Sequence, residues 1–276
     1  MQVVDSVSAM RGLLARRSGV AFVPTMGNLH EGHVALVREA RRRGRIVVAS
    51  IFVNRLQFGP REDFDRYPRT FAADCAALAR EGVDYVFAPD ERELYPVPQD
   101  YFVMPSVELA DILEGELRPG FFRGVATIVS KLFNIVQPEQ AIFGMKDYQQ
   151  LRVIERMVGQ MNMPIDIVPV ATVRAEDGLA LSSRNNYLTA TERDEAPHLQ
   201  QVMRQINTAV GAGERDLSML EGKAAALLQG RGWQVDYITV RRCADLKVPS
   251  IADQSMVILS AARLGKTRLI DSLEIG

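Results

Sequence analysis

Two of the three histidines in 276 residues stand three apart, in Pro24-Thr-Met26-Gly27-Asn28-Leu29-His30-Glu31-Gly32-His33. Imidazoles placed where an apolar strand gives way to a helix can stabilise charge growing on a phosphoryl group while it is displaced. Backbone N–H groups at such a junction can meet phosphate oxygens, and Gly32 lets a nucleotide approach closely. A lone helical histidine is usually structural, whereas a His-x-Gly-His pair directly after a buried strand is a sharper signal. Metal binding would need a further Cys, His or acidic ligand at recognisable spacing, and none stands nearby.

Three more stretches place polar groups at the ends of apolar runs. In Ser50-Ile-Phe-Val-Asn54-Arg-Leu-Gln57-Phe58 the strand runs straight into Asn, Arg and Gln. The primary amide of Gln57 both donates and accepts, which suits a hydroxy acid, although alone it reads equally as a solvated loop residue. In Phe143-Gly144-Met145-Lys146-Asp147-Tyr-Gln-Gln150, Gly144 permits a ribose against the backbone and Lys146 brings a compact charge to a transferring phosphate. Lysine is scarce here, 5 against 28 arginines, so its appearance in this stretch is conspicuous. Asp147 also reads as a helix N-cap, which does not exclude ribose binding. The last stretch, Gly178-Leu-Ala-Leu181-Ser182-Ser183-Arg184-Asn185, offers hydroxyls and a guanidinium to phosphate oxygens, and taken alone is a plain loop.

These residues need a frame that brings strand ends together. Val20-Ala-Phe-Val and Ile46 to Val53 are continuous apolar runs, read as buried strands. Between them Val34, Val37 and Ala40 are spaced for one helix face, Arg41, Arg42 and Arg43 complement the helix C-terminus, and Gly44 is a stop. The alternation continues with helices at 70–80, 125–136 and 148–161 and strands at 84–87, 140–143 and 165–170. This is the pattern of a doubly wound parallel sheet, in which ligands bind outside the carboxyl ends of the strands. Past residue 176 the texture changes: a Thr189-x-x-Glu192 capping box, two long helices, then strands at 233–240, 256–261 and 267–270. The expected division is 1–176, a nucleotide- and acid-binding domain, and 177–276, a smaller α+β domain.

Composition narrows the function classes. Hydrophobic residues at 47% and charged residues at 24% fit a globular protein with a substantial core, and a net charge of −1 gives no basic field for nucleic acid or membrane. The longest obvious apolar run is far short of the roughly 20 residues that span a bilayer, so a cytoplasmic protein acting on small molecules is expected. Cys75 and Cys243 fit neither a disulfide framework nor a metal knuckle and read as reduced thiols.

Taken together, and in this order along the chain, the four stretches resemble the pantothenate synthetase family, nucleotidyltransferase relatives built on a Rossmann-like fold with a His-x-Gly-His signature. The resemblance covers nearly everything from Pro24 to Leu188. It implies a Rossmann-like doubly wound sheet with a smaller C-terminal lid domain, and a homodimeric cytosolic ligase. The implied reaction joins pantoate and β-alanine at the expense of ATP with Mg2+, through a pantoyl adenylate.

Carried over by position, the resemblance puts ATP on Met26, Gly27, Asn28, Leu29, His30, Glu31, Gly32 and His33. It adds Gly144, Met145, Lys146 and Asp147, then Val173, Leu181, Ser182, Ser183 and Arg184. His33 is the implied catalytic acid, with His30 and Lys146 beside the phosphates. Gln57 and Gln150 would hold pantoate, Gln57 also β-alanine, and no protein residue is assigned to the metal. The chain departs from the commoner pattern at Arg55-Leu56, where Pro-Met is usual, at Phe122, where histidine is often seen, and at Met145, where an acid is common. Asp74 and Arg123 are weaker candidates left outside the site. His-x-Gly-His alone would equally serve a nucleotidyltransferase acting on a phosphorylated or alcohol substrate, against which Gln57, Gln150 and the Ser-Ser-Arg loop argue. A nucleotide sensor without turnover would bind ATP and form no pyrophosphate.

Overall fold

A computed structural model describes every residue except Arg61, Ile251 and Gly276. The apolar runs form strands because a strand covered on both faces needs no polar alternation. The main sheet holds β1 (Gln2–Val4), β2 (Val20–Thr25), β3 (Ile46–Ile51), β4 (Tyr85–Phe87), β5 (Gln140–Gly144) and β6 (Asp166–Val170) in the order β1-β4-β3-β2-β5-β6. Every neighbouring pair is parallel. From β2 the chain steps to β3 and β4 on one side, then returns to lay β5 and β6 on the other. The carboxyl ends of β2 and β5 therefore flank the switch point where such sheets bind ligands.

The first crossover is the helix Glu31–Arg43, which buries Leu36, Val37 and Ala40 against the sheet and leaves the expected Val34 only partly covered. Gly44 ends it, donating its N–H to the Ala40 carbonyl at 2.8 Å. β3 stops at Ile51, two residues before the apolar run does, because Asn54 caps the short turn Arg55–Gln57 and takes the chain out of the ladder. The helix Phe121–Val136 starts four residues earlier than its apolar period implies. Its interior Gly124 costs about 1 kcal/mol of helix propensity against Ala. A Cβ there would fall 2.2 Å from the Leu56 carbonyl oxygen, so glycine is what lets this helix meet the Arg55–Gln57 turn.

The chain divides into two compact units, residues 1–144 with 149–170, and residues 145–148 with 171–276. In the second, β7 (Gln234–Arg242), β8 (Met256–Leu264) and β9 (Thr267–Ile275) form an antiparallel sheet in that order. The helices His198–Gly211 and Leu217–Gly230 bury Leu199, Met203, Ile206, Leu220 and Leu228 with Trp233 and Ile258 of the sheet side. The Thr189 capping box forms as its spacing predicts: Glu192 N–H donates to Thr189 Oγ1 at 3.3 Å and Thr189 N–H to Glu192 Oε2 at 2.8 Å. The fold is thus α/β with a small antiparallel C-terminal part. Of the two cysteines, both free, Cys243 is buried and Cys75 only partly so.

Candidate active site

The loop after β2 is built from hydrogen bonds that leave its histidines in defined tautomers. Thr25 Oγ1 donates to the Ser50 carbonyl at 2.6 Å and accepts from Gly27 N–H at 3.2 Å. Gly27 and Asn28 both take positive φ, 82° and 51°, a conformation glycine adopts freely and Asn tolerates better than most residues. The carboxylate of Asp74, 3% exposed, accepts from Asn28 N–H at 2.9 Å and Leu29 N–H at 2.8 Å, with Thr70 Oγ1 at 3.1 Å. His30 then caps the helix: its Nδ1 accepts from Gly32 N–H at 3.1 Å, while His33 Nδ1 accepts from His30 N–H at 3.3 Å. A backbone N–H only donates, so each neutral ring carries its proton on Nε2. The two rings lie 4.1 Å apart between centroids.

The N–H groups of Gly27, His30 and Gly32 are thus engaged within this segment, and those of Asn28 and Leu29 by Asp74. The backbone N–H row foreseen from sequence as a phosphate cradle is therefore taken up by partners of the protein itself. Glu31 turns its side chain along the helix to Arg38.

Asp74, set aside by the sequence reading, is the residue that holds this turn. Asp74→Ala is expected to cost about 3 kcal/mol, since one buried and one partly buried N–H group lose a charged acceptor, and to weaken ATP use as the loop relaxes. Thermal unfolding and the KM for ATP check this. A variant that melts and turns over as wild type would remove Asp74 from the role.

At the end of β3, Asn54 is 1% exposed and donates from Nδ2 to the Gly124 carbonyl at 3.2 Å and to Gln57 Oε1 at 3.1 Å. Gln57 Nε2 lies 3.2 Å from Met26 Sδ, so the structure brings the second stretch to the first. Of the neighbouring glutamines on the helix Tyr148–Gln160, Gln149 is buried and fully used: its Oε1 accepts from Glu114 N–H, and its Nε2 donates to the Leu109 and Ile112 carbonyls. Gln150 is partly exposed. Sequence alone does not separate the two amides; burial does. The departing Arg55 is tied to Glu91 at 3.1 Å and stacks over Phe64, while Arg123 stacks over Phe102. An open cleft of about 620 Å³ lined by Arg55, Leu56, Glu91 and Tyr95 among others contains none of the sequence-predicted site residues.

In the second unit, the turn Met145–Asp147 hangs on β9: Ser272 Oγ donates to the Met145 carbonyl at 2.6 Å and Tyr148 OH to Glu274 at 2.7 Å. Lys146 Nζ lies 3.8 Å from Asp147 Oδ2. Val173 and Leu181 face each other across a short hairpin, Leu181 N–H donating to the Val173 carbonyl at 3.0 Å. Ser182 caps the turn Ser183–Tyr187 through Arg184 N–H at 3.3 Å, and Ser183 is buried. The hairpin is clamped by Arg174, whose guanidinium meets both oxygens of buried Asp271 at 2.6 and 2.9 Å. Burial pushes the Asp271 carboxyl up, while the guanidinium acts in the opposite direction; the bidentate geometry speaks for the ion pair. Arg174, Asp271 and Ser272 carry no local motif, because their partners lie about a hundred residues away.

A doubly wound sheet with paired imidazoles at the helix start after its first central strand defines a nucleotide-using α/β enzyme. The match to the family model for pantoate-beta-alanine ligase runs over residues 2–274, and the chain belongs to that family. A pantothenate synthetase from Thermus thermophilus shares 44% identity over 100% of this chain and 99% of its own, with a TM-score of 0.95. A pantoate-beta-alanine ligase from Francisella tularensis, solved with beta-gamma ATP and beta-alanine, shares 34% identity over 99% and 97%, with a TM-score of 0.84. The chain is an ATP-using ligase that joins pantoate to β-alanine to make pantothenate.

Proposed function

We propose that the ligation runs in two steps, with the residues of the four stretches in the roles their chemistry allows. Pantoate carboxylate attacks the α-phosphorus of ATP, breaking the bond to pyrophosphate and giving pantoyl adenylate. The β-alanine amine then attacks the acyl carbon and AMP leaves. Adenylation is required because a carboxylate is a poor electrophile and the mixed anhydride supplies a good leaving group. The observation that carries this reading is the capped His30 and His33 pair, whose Nε2–H groups are fixed donors for charge developing on a phosphate.

His33 is assigned as the proton donor, with His30 and Lys146 stabilising the phosphates. ATP is assigned to Met26, Gly27, Asn28, Leu29, His30, Glu31, Gly32 and His33, to Gly144, Met145, Lys146 and Asp147, and to Val173, Leu181, Ser182, Ser183 and Arg184. Gln57 and Gln150 are assigned to pantoate and Gln57 also to β-alanine. Among the described residues no three His, Cys, Asp or Glu side chains cluster as a metal site. Magnesium is assigned to the ATP phosphates, whose charge it offsets. A cytosolic homodimer is the assembly this reading takes from the family resemblance; no helix among the described residues is long and apolar enough to cross a membrane.

Neither cysteine falls in the four stretches, which leaves no evident nucleophile for an acyl-enzyme. Reversible adenylation then requires that labelled pyrophosphate exchange into ATP when pantoate is present and β-alanine absent. Exchange that demands β-alanine, or that runs without pantoate, would exclude this order.

A further inference from the structure

The amide of Asn54 is held by partners that cannot trade roles. Its Nδ2 faces the Gly124 carbonyl at 3.2 Å, which only accepts, and its Oδ1 faces Leu56 N–H at 3.4 Å, which only donates. The hydroxyl of Tyr95 lies 2.8 Å from the same Oδ1 and must donate to it. The remaining Asn54 hydrogen goes to Gln57 Oε1 at 3.1 Å, so that oxygen accepts. Gln57 Nε2 is left carrying its hydrogens away from Asn54, toward Met26, whose thioether sulfur at 3.2 Å is a weak acceptor. The chain of donors runs one way, from Tyr95 through Asn54 to Gln57.

We propose that Tyr95 is a positioning residue that, through Asn54, fixes Gln57 as a hydrogen-bond donor, so that this position selects an acceptor oxygen on the acid substrate. The inference rests on the assignment of Gln57 to pantoate and adds to it a direction: an oxygen of the acid fits, and a donor in its place does not. Left unpinned, a primary amide can turn over and present either face, which would blur that choice. The Gly124 carbonyl and Leu56 N–H set which way the Asn54 amide faces, and Tyr95 holds it there, since its 2.8 Å bond to Oδ1 is much shorter than the 3.4 Å one from Leu56 N–H. Its ring packs 6.1 Å from that of Phe52 and lies under Lys131 Nζ at 4.4 Å, contacts that hold the phenol without using its hydroxyl. Burial, with Glu91 nearby, pushes the phenol far above its ordinary range, so the group stays a donor throughout any working pH.

The same relay accounts for Gly124. Helix Phe121–Val136 must come close enough for its carbonyl to orient Asn54, and a Cβ at 124 would collide with the backbone of Leu56 and Gln57.

Tyr95→Phe removes one oxygen and keeps the ring. It is expected to raise the KM for pantoate about fivefold, the order of one neutral hydrogen bond, with kcat and the KM for ATP within about twofold of wild type. In a Gln57→Ala background the same change is expected to add nothing, because the hydroxyl acts through that amide. Gln57→Glu, which keeps size and removes the donors, should raise the pantoate KM at least as much as Gln57→Ala. If Gln57→Ala leaves the pantoate KM unmoved, the assignment of Gln57 itself fails. If Gln57→Ala raises it while Tyr95→Phe is silent, or acts equally in both backgrounds, that assignment stands and the relay is overturned.

Discussion

Lys146→Ala is expected to slow adenylate formation by at least about 10²-fold, because a positioned charge on a transferring phosphate is worth several kcal/mol. The expected melting temperature stays close to wild type. Lys146 is mostly covered, yet its closest carboxylate, Asp147, is about half exposed, and such a pair contributes about 0–1 kcal/mol. Nor does its loss strand a buried charge: Asp271, whose carboxyl feels Lys146, keeps its bidentate bonds to Arg174. The turn that carries Lys146 is also secured independently of the side chain, through the Met145 carbonyl and Ser272. Stability and rate should therefore separate. Rapid-quench measurement of adenylate on a folded Lys146→Ala variant decides it, and a wild-type rate would take Lys146 out of the chemistry. Lys146→Arg is the informative companion: a planar fork is a poor substitute for a compact ammonium, so only part of the rate should return.

Much of this geometry is visible in sequence because it is local. Strands β2, β3 and β5 are apolar almost without interruption, and the polar groups begin where each strand ends, so the crevice side of the sheet could be read from order along the chain. β1 escapes such reading because three residues at a sheet edge, with Val3 nearly half exposed, leave no period. β9 runs past the predicted 267–270 because buried Asp271 and Ser272 break the apolar pattern at the point where they clamp Arg174 and Met145. Asp74 is hidden for a related reason: in the helix Phe71–Arg80 it occupies a core-facing position, and only the fold shows that two loop N–H groups, not solvent, satisfy it. The residues proposed for the chemistry are read from type and spacing. Those that hold them, Asp74, Tyr95, Gly124 and Asp271, are defined by partners 41 to 97 residues away, which a linear pattern does not register.

His33 has a capping role in the structure and an assigned one in the chemistry, and substitution can pull the two apart. As the third residue of its helix it accepts the His30 N–H, completing a capping box; as an imidazole it can take a second proton on Nδ1, breaking that cap bond, and then give the Nε2 proton to an oxygen on a phosphate. His33→Ala removes both. The cap should cost about 1 kcal/mol of stability, and the missing acid about 10²–10⁴-fold in the rate of adenylation. Gln is a favoured residue at this cap position, since its side-chain oxygen reaches back to the same N–H. His33→Gln is therefore expected to regain the lost stability while the adenylation rate stays depressed, because a carboxamide donates a hydrogen bond and surrenders no proton at neutral pH. Melting curves alongside single-turnover rates for the two variants make the comparison. Should His33→Gln recover the wild-type rate together with the cap, His33 acts by shaping the helix start, and the acid must be sought in another residue.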